Sequence, residues 1–180
     1  MIAGTSRNKQ QKGRVCILLL IMVARVVAWA ADPPPIEKLV PQSDGRIRVF
    51  ETRGPQPLRV IGKEPNQVSI RALAISPDRH SAGWLVDLPN CCTSYPIPMT
   101  LVIYRGEGFP LLRFGTGQGI WAWAYRERGQ QVAFCSAPAH GGAVYDYQLR
   151  EVRSGRLLDT WMGRPGDERA PTWTRRLIAE

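Results

Sequence analysis

The side chains best able to do chemistry lie in two short polar stretches, NCCTSYPIP from Asn90 to Pro98 and HGG from His140. In a thiol hydrolase or thiol-redox enzyme, a cysteine thiolate attacks and a neighbouring histidine serves as its base. Cys91 or Cys92 would be that thiolate here, with His140 as the base. No local protease or transferase signature surrounds the cysteines, so a cysteine-dependent enzyme is the alternative interpretation and we assign no catalytic residue.

The same residues could instead bind a metal or form a disulfide. Zinc sites usually show paired spacings such as C-x-x-C or H-x-x-x-H, which this sequence lacks, so we assign no metal ligand and no cofactor. In an oxidising compartment, cysteines commonly pair. We expect a bridge from Cys91 or Cys92 to Cys135. A bridge between the two adjacent cysteines and buried, unpaired thiols are the other interpretations.

The N-terminal stretch predicts export. Residues 1 to 14 hold four bases and no acid, an apolar run covers residues 15 to 24, and the small-x-small sequence AWA ends at Ala30. This order is typical of a secretory signal. We expect residues 1 to 30 to be removed, leaving a periplasmic or secreted protein without a stable membrane span. An uncleaved anchor is the alternative, although a span usually needs about 20 apolar residues.

The charge balance does not indicate a nucleic-acid partner. The sequence has 24 basic and 15 acidic side chains, but five of the bases and none of the acids lie in the predicted signal. Its removal would leave 19 bases and 15 acids, a net charge of +4. Those bases are scattered among acids, whereas a nucleic-acid interface needs bases clustered on one face.

The chain after the signal is long enough for one domain. Residues 31 to 44 contain four prolines and are predicted to be an extended linker. From residue 45 to residue 180, short runs of β-branched and aromatic residues alternate with Pro and Gly, which predicts a single all-β domain. Pro96 and Pro98 lack backbone donors, so we expect the strand that follows them to begin pairing at Met99.

An internal repeat defines two units, about residues 69–114 and 119–161. Apolar and alanine positions coincide when residues 69 to 84 are laid over the chain 50 positions further on. Residues 100 to 114 match a later stretch at a shift of 47. Each unit is therefore expected to form four strands, and residues 46 to 61 look like an additional copy of the last hairpin.

The repeat carries a resemblance to a known family. ISPDR, from Ile75 to Arg79, resembles the Ser-Pro-Asp-Gly turn of WD-repeat β-propeller blades, and LREVRSGRLL, from Leu149 to Leu158, resembles their outer hairpin. More narrowly, the chain is similar to small exported bacterial proteins with a related Asn-Cys-Cys stretch and a later His-Gly-Gly. The resemblance implies four-stranded antiparallel blades and no particular activity.

A closed propeller needs about four to eight blades, and this chain has two to two and a half. We therefore expect its sheets to pack face to face in a sandwich-like monomer, as a partial propeller. Assembly of a propeller from several chains is the alternative, so oligomerisation stays open.

One strand of the second unit is rich in aromatic residues. Trp121, Trp123 and Tyr125 alternate with Ala122 and Ala124. Because side chains alternate between the two faces of a strand, we expect the three rings on one face and in the core. A sugar-binding stripe is the less favoured interpretation.

The shift of 50 places the Asn90 loop opposite the His140 loop, and the GTGQG link between the units leaves from the same edge. Binding residues concentrate in loops on a rigid scaffold. We therefore expect a non-enzymatic interaction or ligand-binding module of the periplasm or cell envelope, with an unidentified protein or small ligand as partner. One alternative is that these loops only close the end of the sheets, and a further one is that the protein is a structural envelope subunit. The candidate ligand-binding residues are Asn90, Cys91, Cys92, Tyr95, His140 and Gly141.

Overall fold

The computed structural model describes residues 34–52, 59–90 and 94–177. This part of the chain forms strands and two short 3₁₀ turns. Within it, no helix has the length and apolar character needed to cross a membrane. The predicted signal over residues 1 to 30 lies outside the described residues and stays a prediction.

Three strands near the N-terminus form one antiparallel sheet, here the N-terminal sheet. They are β1 (Ile36–Pro41), β2 (Ile47–Glu51) and β3 (Arg59–Ile61), in the spatial order β1-β2-β3. The linker predicted for residues 31 to 44 is therefore wrong for β1, which pairs along β2.

Proline placement explains why β1 is possible despite its composition. Pro34 and Pro35 precede the strand and Pro41 ends it, so no proline interrupts the ladder between them. Ile36 is only 1% exposed and lies in the core. The burial of apolar side chains thus favours a paired strand here, although prolines flank the segment.

Two four-stranded antiparallel sheets follow, each with its strands in consecutive order. The first, the middle sheet, runs over the predicted first unit, and the second, the C-terminal sheet, runs over the second. The all-β fold with four-stranded sheets is thus confirmed. The middle sheet contains β4 (Ser69–Ile75), β5 (Ala82–Leu88), β6 (Ile97–Tyr104) and β7 (Leu112–Phe114), and the C-terminal sheet contains β8 (Gly119–Arg126), β9 (Gln131–Ala137), β10 (Tyr145–Glu151) and β11 (Leu157–Gly163).

The three sheets pack face to face through hydrophobic clusters. One cluster, including Val49 and Trp84, lies between the N-terminal and middle sheets. A second, including Leu101 and Phe134, lies between the middle and C-terminal sheets. A third covers the far face of the C-terminal sheet, where the final segment of the described chain supplies Leu177. The middle sheet is therefore the only one of the three, in the described chain, with another sheet on each face.

The two four-stranded sheets match in register, with one offset that the sequence alignment misses. Leu85 lies opposite Leu101 in the middle sheet, and its counterpart Cys135 lies opposite Tyr147 in the C-terminal sheet. Leu101 is thus equivalent to Tyr147, one residue away from the alignment at a shift of 47. Because a one-residue slip moves every side chain to the other face, this offset decides which residues of β10 are core.

Matching β-bulges interrupt the first strand of each four-stranded sheet. The register shifts between Arg71 and Ala74 in β4 and between Ile120 and Ala122 in β8. An extra residue in one strand changes the alternation of faces. Consequently Trp121 packs in the third cluster, away from the other aromatic residues of β8.

The expectation of three rings on one face of β8 is therefore wrong for one of them. Trp123 and Tyr125 pack between the middle and C-terminal sheets, as expected of a core stripe. Trp121 packs on the opposite face with Ala122 and Ala124. All three rings are nevertheless partly buried, which favours a packing role.

The strand after the polar loop begins earlier than predicted. β6 starts at Ile97, and Pro98 lies opposite Asp87, next to a register shift. A proline can be accommodated at a bulge because the ladder there does not require its missing N–H. The expected start at Met99 was therefore two residues late.

Candidate functional site

The three loop segments singled out in the sequence meet at one end of the middle and C-terminal sheets, here called the loop rim. Together they line a groove of about 410 Å³. Its lining comes from the end of β5, the start of β6, the link between the sheets and the loop after β9. The lining residues are Leu88, Pro89, Asn90, Ile97, Met99, Gly117, Gln118, Gly119, Pro138 and Ala139.

The floor of the groove is apolar and fixed by close packing between the sheets. Ile97 is 2% exposed at the start of β6. A Cβ atom at Gly119 would lie 3.0 Å from Ile97 Cγ2 and 2.9 Å from Trp121 Cζ2. Such distances are too short for a real side chain, so glycine at this position allows β8 to approach β6. Among the described residues that line the groove, none carries a charge.

Tyr95 lies at the edge of the groove. Its side chain is 50% exposed, and its hydroxyl lies 3.5 Å from the carbonyl oxygen of Ala139, at the outer limit of a hydrogen bond. The contact joins the loop of the middle sheet to the loop of the C-terminal sheet. A half-exposed aromatic ring at a groove edge offers both apolar contact and a polar tip to a partner.

An ion pair between the buried Asp87 and the half-exposed Arg71 supports the Tyr95 segment. The Asp87 carboxylate is 2% exposed on its side chain, accepts a 2.6 Å hydrogen bond from Ser69 Oγ and pairs with Arg71 Nε at 2.8 Å. Arg71 Nη2 in turn lies 3.4 Å from the carbonyl oxygen of Pro96. Asp87 therefore supports the rim structurally, since its carboxylate is already engaged by two donors.

The His140 loop is a tight turn. The backbone N–H of Gly141 donates to the carbonyl oxygen of Pro138 at 2.9 Å, and Gly141 has a φ of +81°. Glycine adopts this left-handed conformation without the steric cost that a side chain brings. His140 itself is exposed beside the groove. The structure thus gives Gly141 a backbone role and leaves the imidazole accessible.

Two of the candidate residues, Cys91 and Cys92, lie outside the described residues. Their place in the rim, their pairing and the thiol-enzyme interpretation stay predictions. The residues that flank them, Asn90 and Ser94, belong to the loop between β5 and β6. Asn90 lines the groove.

The disulfide expected at Cys135 is not formed, because this residue is a buried free thiol. Its Sγ donates to the carbonyl oxygen of Leu177 at 3.3 Å. Burial raises the pKa of the thiol to about 11, so it is protonated at neutral pH and a poor nucleophile. The prediction failed because Cys135 points to the far face of the C-terminal sheet, away from the middle sheet.

The described residues contain no cluster of three or more His, Cys, Asp or Glu side chains able to hold a metal ion. His80 lies in the Ser-Pro-Asp turn between β4 and β5, where its backbone N–H donates to Asp78 Oδ1 at 3.0 Å. That turn lies at the opposite end of the middle sheet from the loop rim. The two histidines are thus far apart in the fold.

Several residues that shape the groove were not predicted from the sequence. Ile97, Met99 and Pro138 supply apolar surface, and Gln118 supplies an amide. The signal available for them was their position, since Ile97 and Gln118 lie within the stretches NCCTSYPIP and GTGQG, Met99 follows the first of these, and Pro138 lies two positions before His140. An apolar residue next to a loop looks like the end of a strand in the sequence, so its exposure to a groove is visible only in the fold.

Comparisons with known proteins identify no family for this chain. No family model matches it and no curated protein matches it. A solved structure titled Kuenenia stuttgartiensis Hydrazine Synthase is similar at 15% sequence identity, with a TM-score of 0.41 over 70% of this chain and 33% of that chain. The chain thus spans about a third of the length of that neighbour. At this level the likeness carries no argument about function.

Proposed function

We propose that this protein is a non-enzymatic binding module of the periplasm or cell envelope that captures a partner at the loop rim. The observation that carries the proposal is the groove of about 410 Å³ at the point where three loop segments converge. Loops that served only to close the end of the sheets would fill such a space with their own side chains. Rigid sheets beneath adaptable loops are a common arrangement for recognition.

The lining of the groove indicates the chemistry of the partner. Its described residues are uncharged and mostly apolar, with Asn90, Gln118 and the backbone of the glycine-rich link as hydrogen-bonding groups. Burial of apolar surface contributes roughly 25 cal/mol per Å², and the few polar groups would fix orientation. The best fit is an apolar side chain of a protein segment or a small uncharged apolar ligand.

Site-specific photocrosslinking tests whether the rim meets a partner in the cell envelope. A photoreactive phenylalanine analogue replaces Tyr95 in cells that export the protein. A matched control variant carries the analogue at Phe109. This aromatic residue of the β6–β7 hairpin is 46% exposed. We expect a discrete adduct from position 95 and none of that mass from position 109. Equal labelling from both positions would remove the rim from consideration.

The crosslinked segment or ligand then serves as the probe for binding to the purified protein. We expect Tyr95→Ala and His140→Ala each to weaken binding by about tenfold, because each removes a side chain at the groove edge. Phe109→Ala is the control and should bind as the unmodified protein does. All three substitutions are at exposed positions and should leave the melting temperature unchanged. Full binding by both rim variants would contradict the proposal.

Export is the second part of the proposal and has its own test. N-terminal sequencing of the protein from the periplasmic fraction or the medium should begin at Ala31, since cleavage is expected after Ala30. An intact N-terminus in the membrane fraction would instead support the uncleaved anchor. That outcome would change the location of the module without affecting the groove.

A further inference from the structure

A second cavity, of about 310 Å³, lies on the far face of the C-terminal sheet. Its floor is formed by Tyr147 of β10 and Trp161 of β11, and its roof by the segment that follows β11, from Arg164 to Arg176. It shares no lining residue with the groove of the loop rim. It is therefore a separate candidate site with a different composition.

The floor of this second cavity consists of paired aromatic rings. The ring centroids of Tyr147 and Trp161 lie 5.2 Å apart at an interplanar angle of 54°. Tyr147 is 3% exposed, so its ring is held firmly in the sheet. The equivalent positions of the middle sheet, Leu101 and Phe114, are covered by the C-terminal sheet. On the far face no sheet takes that place in the described chain, and the cavity lies where the roof segment meets this ring pair.

The roof is tied to the sheet at several points. Arg126 of β8 donates from Nε to the carbonyl oxygen of Trp173 at 3.0 Å and from Nη2 to that of Arg175 at 2.7 Å. Trp173 Nε1 donates to Asp159 Oδ2 at 2.9 Å. Leu177 is 2% exposed and closes the third hydrophobic cluster. The C-terminal end of the roof segment is thus anchored to the sheet.

Positive charge predominates at the cavity. Its lining includes Arg164, Arg175 and Arg176 against Asp167 and Glu168. Asp167 is engaged by Arg169, whose Nη2 lies 2.8 Å from Asp167 Oδ2. Among the described residues, no carboxylate lies within ion-pair distance of Arg164, Arg175 or Arg176. The lining thus carries three arginines against two acids, and one of these acids, Asp167, also interacts electrostatically with Arg164.

We propose that this cavity binds a small molecule that joins a planar aromatic ring to an anionic group. Aromatic floor residues favour offset or edge-to-face contact with a second ring. Arginine favours carboxylate and phosphate because its planar fork can donate two parallel hydrogen bonds. A cavity of about 310 Å³ is at the small end of the range for ligand sites, which suits a compact ring system.

Three analogues that share one ring and differ in charge test the proposal on the full chain. They are 2-naphthoate, 2-naphthalenemethanol and 2-naphthylmethylamine, titrated by calorimetry. We expect the anion to bind, the neutral alcohol to bind about tenfold more weakly because it lacks the charge-assisted hydrogen bonds, and the cation not to bind. Equal affinity for all three would overturn the proposal. A fourth titration with 2-naphthyl phosphate distinguishes a carboxylate site from a phosphate site, and failure of both anions to bind would also overturn it.

Substitutions separate this cavity from other apolar surfaces. Arg175→Gln and Arg176→Gln should each weaken binding of the anion by up to about tenfold and leave the alcohol unaffected. Met162→Ala is the control, because Met162 follows Trp161 on β11 but is 72% exposed and lines no part of the cavity. Unchanged binding by the Arg175→Gln/Arg176→Gln double variant would contradict the proposed site. So would loss of binding in Tyr95→Ala, because that result would place the anion at the loop rim.

Discussion

The middle and C-terminal sheets share their topology, yet they differ in how much of the same strand they bury. In β6 of the middle sheet, Ile97, Pro98 and the four residues from Leu101 to Tyr104 are buried. In the equivalent strand β10, only Tyr147 and Leu149 are buried. The reason is the kind of cover, since the middle sheet lies between two sheets and the C-terminal sheet has a sheet on one face and a chain segment on the other.

The residue types at equivalent positions follow from this difference. Leu85 and Leu101, which face the C-terminal sheet, correspond to Cys135 and Tyr147, which face the final segment. At these two positions the face covered by a second sheet carries leucine, whereas the face covered by the final segment carries a thiol and a phenol. The same four-stranded scaffold thus occurs twice, and the copy that is covered on one face by a chain segment carries the buried thiol and phenol.

The largest expected effect is on core packing. Ile103→Ala in the middle sheet should lower the free energy of unfolding by about 2–5 kcal/mol, because Ile103 is 0% exposed and its removal leaves a cavity between two sheets. Leu149→Ala, the equivalent change in the C-terminal sheet, should cost less, because the covering segment can move into the space. Urea denaturation of both variants measures the difference.

The surroundings of Gly83 show that the middle and C-terminal sheets are closely packed beside Ile103. A Cβ atom there would lie 2.6 Å from both Ile103 Cδ1 and Trp123 Cη2. If Leu149→Ala proved as costly as Ile103→Ala, the final segment would have to pack as rigidly as a sheet. The contrast between the two covers would then be wrong.

The second effect is a pH dependence to which the buried thiol of the C-terminal sheet contributes. Burial raises the pKa of the Cys135 thiol from 9.0 to about 11 in the folded protein. Below pH 9 the thiol is protonated in both states, so it does not affect stability. Between about pH 9 and pH 11 the unfolded chain releases this proton and the folded protein retains it, so stability should fall with rising pH, by on the order of 2 kcal/mol. Denaturation midpoints at successive pH values measure the fall.

Cys135→Ala isolates the contribution of the thiol to this alkaline loss. The variant should show a shallower fall over the same pH range, whatever its stability at neutral pH. Burial also raises the pKa of Tyr147 to about 12, so a further loss above pH 10 should persist in Cys135→Ala and diminish in Tyr147→Phe. An unchanged slope in Cys135→Ala would show that the thiol is accessible in the folded state.

Much of this architecture was predictable because its determinants are local. Alternation of apolar residues and the Pro and Gly residues between runs located the strands of both four-stranded sheets, and the repeat placed Asn90 and the His140 loop at the same end. Such patterns reflect period-two side-chain geometry and turn conformations. Both can be recognised from neighbouring residues alone.

The errors arose where a single residue changes the parity of a strand. The bulge in β8 turned Trp121 to the far face, and the offset between β6 and β10 made Tyr147, rather than Gln148, the equivalent of Leu101. Bulges have little compositional signature and are fixed by tertiary packing. The face of Cys135 and the cavity over Trp161 depend on which layer covers a sheet, which local patterns do not encode.

The smallest expected effect concerns a surface ion pair of the middle sheet that has no counterpart among the described residues of the C-terminal sheet. Arg113 of β7 donates two 2.8 Å hydrogen bonds to the carboxylate of Glu64, in the link from the N-terminal sheet. The equivalent residue of the C-terminal sheet is Thr160, because Arg113 pairs with Val102 and Thr160 with Gln148.

Arg113→Lys keeps the charge and loses the two-pronged geometry. The side chain of Arg113 is 48% exposed and that of Glu64 15%, so solvent screens the pair and the loss should be only about 0.2–1 kcal/mol. Salt at about 1 M, where the Debye length is roughly 3 Å, should reduce the difference between variant and unmodified protein. Thr160→Ala, which removes no ion pair, should show no salt-dependent difference. A loss in Arg113→Lys that is insensitive to salt would mean that the arginine stabilises the link by packing of its stem, and the two sheets would then differ at this edge in apolar contact rather than in charge.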